Sequence, residues 1–380
     1  MEILKFKPEH HQFRKKVKDF MKSEVIPHVD QWETDRMIPK SVWKQMGEEG
    51  LLCTTIKKEY GGPEKDFLHA FIFTDEIVKT NHNGLGPPTH SDIVVPYINS
   101  FGSEELKKKY LPGCVSGSTI TAIAISEPGT GSDVASMSMT AEEKGDSVIL
   151  NGTKTFITNG INCDLVVLAA VDPTVENPYK SISLYVVEAN TPGFKKGKKL
   201  KKMGMQSQDT SELFFTDCRV PVKNRLGDKG KGFSMLMQKL QQERLIVSIS
   251  AVGIAEHVFN LTADNCRTGR KSGRPTADSH AGSYELVNMA TDIKLARTFL
   301  DKLILDHIKG KDVVLETSMA KFWNTEMLMR TLNGCLDLYH DDSIFDSCPI
   351  VRYCLDARVM PIFAGTNEIM KTIVAKLMKL

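Results

Sequence analysis

The sequence predicts a mainly α-helical protein with a β domain set in its middle. Three observations carry that expectation: a helical apolar period at both ends, a stretch of short β-branched runs between them, and a length of 380 residues. At roughly 150 residues per domain, the length leaves room for two or three domains around a large buried core. Hydrophobic residues are 41% and charged residues 25% of the chain, proportions that fit neither disordered nor membrane-embedded proteins. Lys plus Arg is 49 and Asp plus Glu is 47, a net charge of +2, too balanced for a nucleic-acid or polyanion binder.

In the first zone, about 1–120, Phe13, Val17, Phe20 and Val25 recur at helical spacing, and Val42 and Met46 lead to a stop at Gly50-Leu51. Pro27, Pro39, Gly61-Gly62, Pro87-Pro88 and Pro112 punctuate this N-terminal helical domain. Between about 121 and 224 the period changes to the runs SVILNGTKTFITNG, CDLVVLAAV, SISLYVVEA and ELFFTDCRVP, separated by Asn-Gly, Asp-Pro and Asn-Pro turn signals. These predict a small, mostly antiparallel, barrel-like β domain. From 225 to 380 long helices return, over 232–266, 284–309 and 315–340 and again after Gly365, with only Gly253 and Gly334 inside them. A C-terminal four-helix bundle is the economical arrangement. The basic run FKKGKKLKKMG at 194–204 falls between strands and is expected to be a solvated loop.

The eight cysteines contain no Cys-x-x-Cys pair and are too dilute for a disulfide scaffold, so they are expected to be reduced thiols. The first residues carry Lys, Arg and Glu where a signal peptide needs an apolar run. No run approaches the roughly 18 apolar residues of a membrane span. The expected setting is the cytoplasm, or the mitochondrial matrix if the source is eukaryotic.

Leu236, Leu240, Val247, Ser250 and Ile254 form one face of a long helix, and Glu243 lies on that same face. Burying a carboxylate costs several kcal/mol unless it is paired or neutralised. It is therefore either half of a buried ion pair with an Arg from another helix or a base whose raised pKa is its purpose. A second set of residues bears on the choice. The segment AISEPGTGSD, 124–133, interleaves Gly129 and Gly131 with Ser126, Thr130, Ser132 and Asp133, a loop able to offer N–H groups and hydroxyls to a polar planar ligand. It is joined by KTFITNG at 154–160 and DARVMPIFAGTNEIMK at 356–371.

On these motifs the chain resembles the acyl-CoA dehydrogenase family along nearly its whole length, and that family's fold has the same order of helical domain, β domain and four-helix bundle. The resemblance implies FAD as cofactor, an acyl-CoA substrate and an electron-transfer flavoprotein as acceptor. It implies flavin contacts from Ser126, Thr130, Phe156, Thr158, Thr366 and Glu368, with Ser132 on the pantetheine arm of the thioester. Many members carry their catalytic Glu in a Tyr-Glu-Gly-Thr motif, but the matching stretch here is Phe363-Ala364-Gly365-Thr366, and Ala364 cannot abstract a proton. The long-chain and isovaleryl branches place a Glu followed by Arg on the first bundle helix instead, which matches Glu243-Arg244. The resemblance thus makes Glu243 the base, counts Arg244 among the substrate-binding residues, and gives the backbone N–H of Ala364 the thioester oxygen.

The resemblance also has gaps. Family homodimers complete each flavin site with an Arg-x-x-Phe-Gly stretch and a Gln-x-x-Gly-Gly stretch from the neighbouring subunit; here these read Gly269-Arg270-Lys271-Ser272-Gly273 and Asp337-Leu338-Tyr339-His340-Asp341. Asp337 and Asp341 put carboxylates where a pyrophosphate is expected, and like charges repel. That predicts a heterotetramer, α2β2, in which a related subunit supplies the missing half; the alternative is a homotetramer with substitute contacts such as Arg267, Arg270 or Arg274. Asp92, in THSDIVVPYI, stands where long-chain relatives tend to have a small residue. It either caps a helix beginning near Val94 or acts as a second acid/base, or polar contact, on a bulky, branched or alicyclic acyl chain. Flavin monooxygenation on the same fold and a flavin-poor, non-catalytic subunit are the competing functions. No metal site is expected: there is no His-Glu-x-x-His pattern, and His10-His11 are expected to be solvated on a charged helix.

Overall fold

The computed structural model describes residues 3–268, 270–271, 274–275, 280–339 and 348–380, those between 268 and 281 by their backbone only. The chain opens with α1 (Pro8–Phe20), α2 (Val29–Asp35), α3 (Lys40–Glu48), α4 (Phe67–Ile77), α5 (Val95–Phe101) and α6 (Glu104–Val115). Ser103 caps α6, its hydroxyl accepting from the Leu106 N–H, as a Ser before a Glu-rich first turn should. π turns at Met21–Val25 and Thr89–Val94 interrupt the helical run. Such turns place an extra residue in the helix and re-aim the side chains around it.

The middle of the chain is an eight-stranded sheet, with β1 (Thr121–Ala124), β2 (Thr140–Lys144), β3 (Ser147–Thr158), β4 (Leu165–Val171), β5 (Ile182–Glu188), β6 (Phe194–Lys199), β7 (Thr210–Pro221) and β8 (Arg225–Leu226). A four-residue helix, α7 (Pro178–Ser181), precedes β5. The strand order is β6-β7-β3-β2-β4-β5-β8, with β1 added beside β4. Most pairs are antiparallel, but β1 and β2 each pair with β4 in parallel. The near-continuous apolar run of β4 has a direct cause. Leu165, Val167 and Ala169 face the N-terminal helices, while Val166, Leu168 and Ala170 face the sheet's own interior. A strand buried on both sides keeps the two-residue period of direction but loses the alternation of polarity.

The basic run corrects its sequence reading in part. Residues 194–199 form β6, paired with β7, rather than a loop, while Lys195, Lys198, Lys199 and Lys201 are exposed as expected. Lys199 Nζ donates to Asp35 O at 2.8 Å and Lys202 Nζ to Gln208 O at 2.6 Å, while Lys196 Nζ holds Ile161 O and Cys163 O.

The C-terminal part packs α8 (Gly232–Thr268), α9 (His280–Ile308), α10 (Val314–Tyr339) and α12 (Asn367–Met378), with the short α11 (Val351–Ala357) before the last. The two mid-helix glycines are points of close approach. A Cβ on Gly253 would come within 2.9 Å of Val78 Cγ2, and one on Gly334 within 3.0 Å of Met289 Sδ, so these positions let neighbours in at some cost in helix propensity. Among the described residues α8 is long and apolar enough to cross a membrane by length and composition alone. Its apolar character follows from its position, since two thirds of that stretch is buried inside the protein.

All eight cysteines are free, and seven are buried. His10 is likewise not solvated: it is 1% exposed, and its Nε2 lies 3.1 Å from both Asp66 carboxylate oxygens. His69 Nδ1 meets the same carboxylate at 2.8 Å. These three groups lie close enough to hold an ion, but His10 Nδ1 accepts the Lys7 N–H at 2.9 Å. That bond puts the proton on Nε2, where it is donated to Asp66, so a metal could bind there only against the tautomer the chain imposes.

Candidate active site

The apolar stripe on α8 is buried as expected: Leu236, Val247 and Ile254 are each at most 6% exposed. Glu243 sits among them, partly accessible. Burial raises its pKa to about 7, and the nearby charges of Arg244 and Lys321 only partly offset that rise. No hydrogen bond stabilises its ionised form among the described residues. A carboxyl with this environment takes up and gives up a proton near neutrality, the property a base needs. The buried ion pair considered from sequence does not form, since no guanidinium lies within 4 Å of Glu243 among the described residues. Its flanking Arg244 is 4% exposed, and its Nε has no partner among the described residues.

Opposite α8 lies the 361–367 segment. Ala364 adopts φ 56° and Gly365 φ 88°, and the left-handed region costs a non-glycine residue about 1 kcal/mol or more. Asn367 N closes the segment onto Pro361 O at 3.0 Å. Lys321 on α10, with no exposed surface, donates to Pro361 O at 3.0 Å, Gly365 O at 2.8 Å and Asn367 Oδ1 at 3.0 Å. The Ala364 N–H meets no acceptor among the described residues. It is a free donor on a strained, firmly held backbone, the kind of group that can receive developing negative charge.

Asp92 lies inside the Thr89–Val94 π turn and does not cap α5, whose first turn has no side-chain cap. It is 3% exposed, and burial alone raises its pKa to about 7. Its backbone carbonyl accepts from Gln242 Nε2 at 2.6 Å, which ties the π turn to the residue before Glu243. The Tyr97 hydroxyl, also buried, has no partner among the described residues and lies within electrostatic reach of Glu243 and Arg244.

On the β domain, Thr155 N donates to Ser126 O at 2.9 Å, so the 126–132 loop lies beside β3. Glu127 and Thr130 pair across Pro128-Gly129, and the Thr130 hydroxyl donates to Ser136 O at 3.1 Å. Ser132 is exposed. Beneath the loop is a buried pair, Lys154 Nζ to Glu127 Oε1 at 2.8 Å, with Lys154 also donating to Ile125 O. Burial would raise the Glu127 pKa, but Lys154 and the Ser138 donors outweigh it and bring the pKa below its usual value. The β3–β7 register slips between Lys154 and Ile157, and at that bulge Phe156 takes φ 57° and stands 72% exposed. The Thr158 hydroxyl reaches Gln208 Oε1 at 3.4 Å. Thr366 caps α12 by accepting from Ile369 N, and Glu368 is exposed in its first turn. The structure thus brings the Ser126 backbone beside β3, the interior strand that carries Phe156 and Thr158, and shows no hydrogen bond from Ser126, Thr130, Phe156 or Thr158 to Thr366 or Glu368 among the described residues. Side chains at 269–274, and His340 and Asp341, lie outside the described residues, while Asp337 is exposed at the end of α10.

Lys321, Tyr97 and the Glu127–Lys154 pair do not stand out in the sequence reading. Lys321 carries a legible signal all the same, because Ser318, Lys321, Thr325, Leu328, Leu332 and Cys335 repeat at helical spacing and are all buried. An open groove of about 980 Å³ between α1 and α3, lined by Lys15, Lys16, Asp19 and Glu49, is remote from all of these groups.

Residues 7–118, 122–218 and 230–379 match the N-terminal, middle and C-terminal domains of acyl-CoA dehydrogenase. The mitochondrial long-chain specific acyl-CoA dehydrogenase of Rattus norvegicus is 39% identical over 372 residues, 98% of this chain and 86% of the relative. The chain belongs to the acyl-CoA dehydrogenase family. A crystal structure of acyl-CoA dehydrogenase from Geobacillus kaustophilus superposes with a TM-score of 0.97 at 46% identity, covering 99% of each chain. The mitochondrial isovaleryl-CoA dehydrogenase of Oryza sativa subsp. japonica is 31% identical over 98% of this chain and 92% of its own. As a family member the chain is an FAD-dependent oxidoreductase. Its residues fit that cofactor: Phe156 offers an uncovered aromatic face, and a Cβ at Gly129 or Gly131 would meet nothing within 4 Å, leaving room for a planar group above the loop.

Proposed function

We propose that Glu243 is the base of an α,β-dehydrogenation of an acyl-CoA thioester. The observation that carries the reading is a proton-ready carboxyl on α8 facing a loop in which Ala364 stands where many relatives keep their Glu. Glu243 removes the α-proton in a site where Arg244 and Lys321 keep part of its charge stabilised. The Ala364 N–H receives the thioester oxygen as enolate charge develops. FAD, when bound, accepts the β-hydride and passes its electrons to an electron-transfer flavoprotein. Ser126, Thr130, Phe156, Thr158, Thr366 and Glu368 hold the flavin, and Ser132 and Arg244 hold the thioester. Asp92 faces a polar group on a bulky, branched or alicyclic acyl chain, because a buried carboxyl without a hydrogen bond needs a partner. The enzyme works in the cytoplasm or the mitochondrial matrix.

The chain is one half of a heteromer in this reading. Support comes from the sequence at 269–273 and 337–341, where an Arg, a Phe, a Gln and two Gly of the family pattern are replaced, and from Asp337 on the surface. Purified alone, the chain is expected to be colourless, and to become yellow when co-expressed with a paralogous subunit. A yellow homotetramer with one FAD per chain, measured by absorbance and native mass, overturns the heteromer. In the flavin-loaded enzyme Glu243→Gln should abolish α-proton exchange and lower turnover by at least about a thousandfold. Turnover left near the wild-type rate would remove Glu243 from the base role.

A further inference from the structure

Lys321 is out of place on physical grounds. A fully buried ammonium is tolerated only with its hydrogen-bonding capacity used, and Lys321 commits all three donors to one segment: Pro361 O, Gly365 O and Asn367 Oδ1. Asn367 adds a second layer, since its Oδ1 also accepts from the Thr325 hydroxyl at 3.2 Å and its Nδ2 reaches Thr325 Oγ1 at 3.1 Å. Both anchors stand on α10, and both pull on the loop that carries Ala364.

We propose that Lys321 is a positioning residue for the thioester-oxygen site: it draws the Pro361 and Gly365 carbonyls onto α10 and so holds the Ala364 N–H aimed at the substrate. The inference rests on the roles given above to Glu243 and Ala364. Left to itself, the 363–365 backbone would relax out of the left-handed region, and the Ala364 N–H would turn with it. Carbonyls on both sides of the strained residue are captured by one charged donor, which is the arrangement that prevents that relaxation.

The same ammonium has an electrostatic consequence. Facing it are Glu243 and Arg244 on α8 and Glu368 on α12, and Tyr97 on α5 faces Glu243 from the far side. Burial and then Arg244 lower the Lys321 pKa to about 8, against the opposing pull of Glu368 and Glu243. Lys321 in turn lowers the Glu243 pKa. Neutralising position 321 therefore makes the base hold its proton to higher pH.

The test compares Lys321→Met, Asn367→Ala and Glu243→Gln in the flavin-loaded enzyme, with circular dichroism to show that each is folded. Lys321→Met should lower kcat by about a hundredfold or more, as removal of an oxyanion donor does, with KM changed by less than about threefold. It should also move the acidic limb of the kcat/KM profile to higher pH. Infrared titration of the Glu243 carboxyl, read as a difference from Glu243→Gln in flavin-free protein, should show the same movement without any turnover. Asn367→Ala keeps the ammonium and loosens the loop, so it should lower kcat and leave the limb in place. Should Lys321→Met not fold, Asn367→Ala alone decides: wild-type kcat in that variant overturns the inference. A folded Lys321→Met with wild-type kcat, or with an unmoved Glu243 titration, overturns it as well. If Glu243→Gln is inactive while both other variants behave as wild type, only the role of Lys321 is lost; if Glu243→Gln turns over normally, the reading of the base fails instead.

Discussion

The two halves of the site are built on opposite plans. On the α8–α10 side, the groups around the proposed base are enclosed: Arg244 is 4% exposed and Lys321 has no exposed surface. On the β-domain side, the groups proposed for the flavin lie more open, with Phe156 at 72% exposure and Ser126, Thr130 and Thr158 partly exposed. Proton transfer depends on desolvation and fixed donors, which one chain can supply from its own core. A large planar dinucleotide needs a broad surface and a cover, and the cover can come from elsewhere. In the proposed heteromer a second subunit supplies that cover while the proposed base stays in this chain.

Three measurements would sharpen or break that contrast. Lys154→Met should strike the flavin side hardest, because it leaves Glu127 buried without its counter-ion. A loss of about 3–5 kcal/mol in unfolding stability is expected from denaturant titration, with weakened flavin binding but an unmoved Glu243 titration. An altered base titration in that variant would show that the two halves are not separate. On the enclosed side, Glu243→Gln should increase stability. The Glu243 pKa is about 7 in the folded protein against an ordinary value of 4.5 for a glutamate in water, so its contribution is present below about pH 4.5 and is lost as pH rises through 7. The variant should exceed wild type by about 2 kcal/mol at pH 8, less than full linkage because the side chain keeps some solvent contact, and the gain should vanish near pH 4.5. Equal stabilities across that range would mean the carboxyl is not desolvated. The smallest effect is expected for Asp92→Asn: about tenfold in preference between acyl chains with and without a polar group, read as kcat/KM ratios. An unchanged ratio would remove Asp92 from substrate recognition.

What is legible in the sequence follows the same division. The α8 stripe exposes Glu243 because a helix repeats its face every three to four residues, so one wrong residue stands out. The same period runs through Lys321, but a lysine bonded to loop carbonyls has no sequence motif of its own. The β runs locate the strands but not the slip between Lys154 and Ile157, since a bulge depends on how two distant strands align. Asp92 reads as a plausible cap from its neighbours alone, and only the π turn shows that it sits inside the helical run. Local charge makes His10 look solvated and gives no sign of the partners of Lys196. The burial of His10 and the two carbonyls that Lys196 holds are set by segments far away in the chain.

The bulge at Phe156 makes β3 unusually sensitive to its own length. Two residues, Thr155 and Phe156, stand here against one on β7, so deleting one of them would leave Ile157 opposite Ser211 and restore regular pairing, but would remove the bulge that holds Phe156 outward. Substitutions along this segment can be absorbed one contact at a time, whereas a single-codon deletion would erase the bulge at once. Natural variation of this strand is therefore expected to change its letters and to preserve its count.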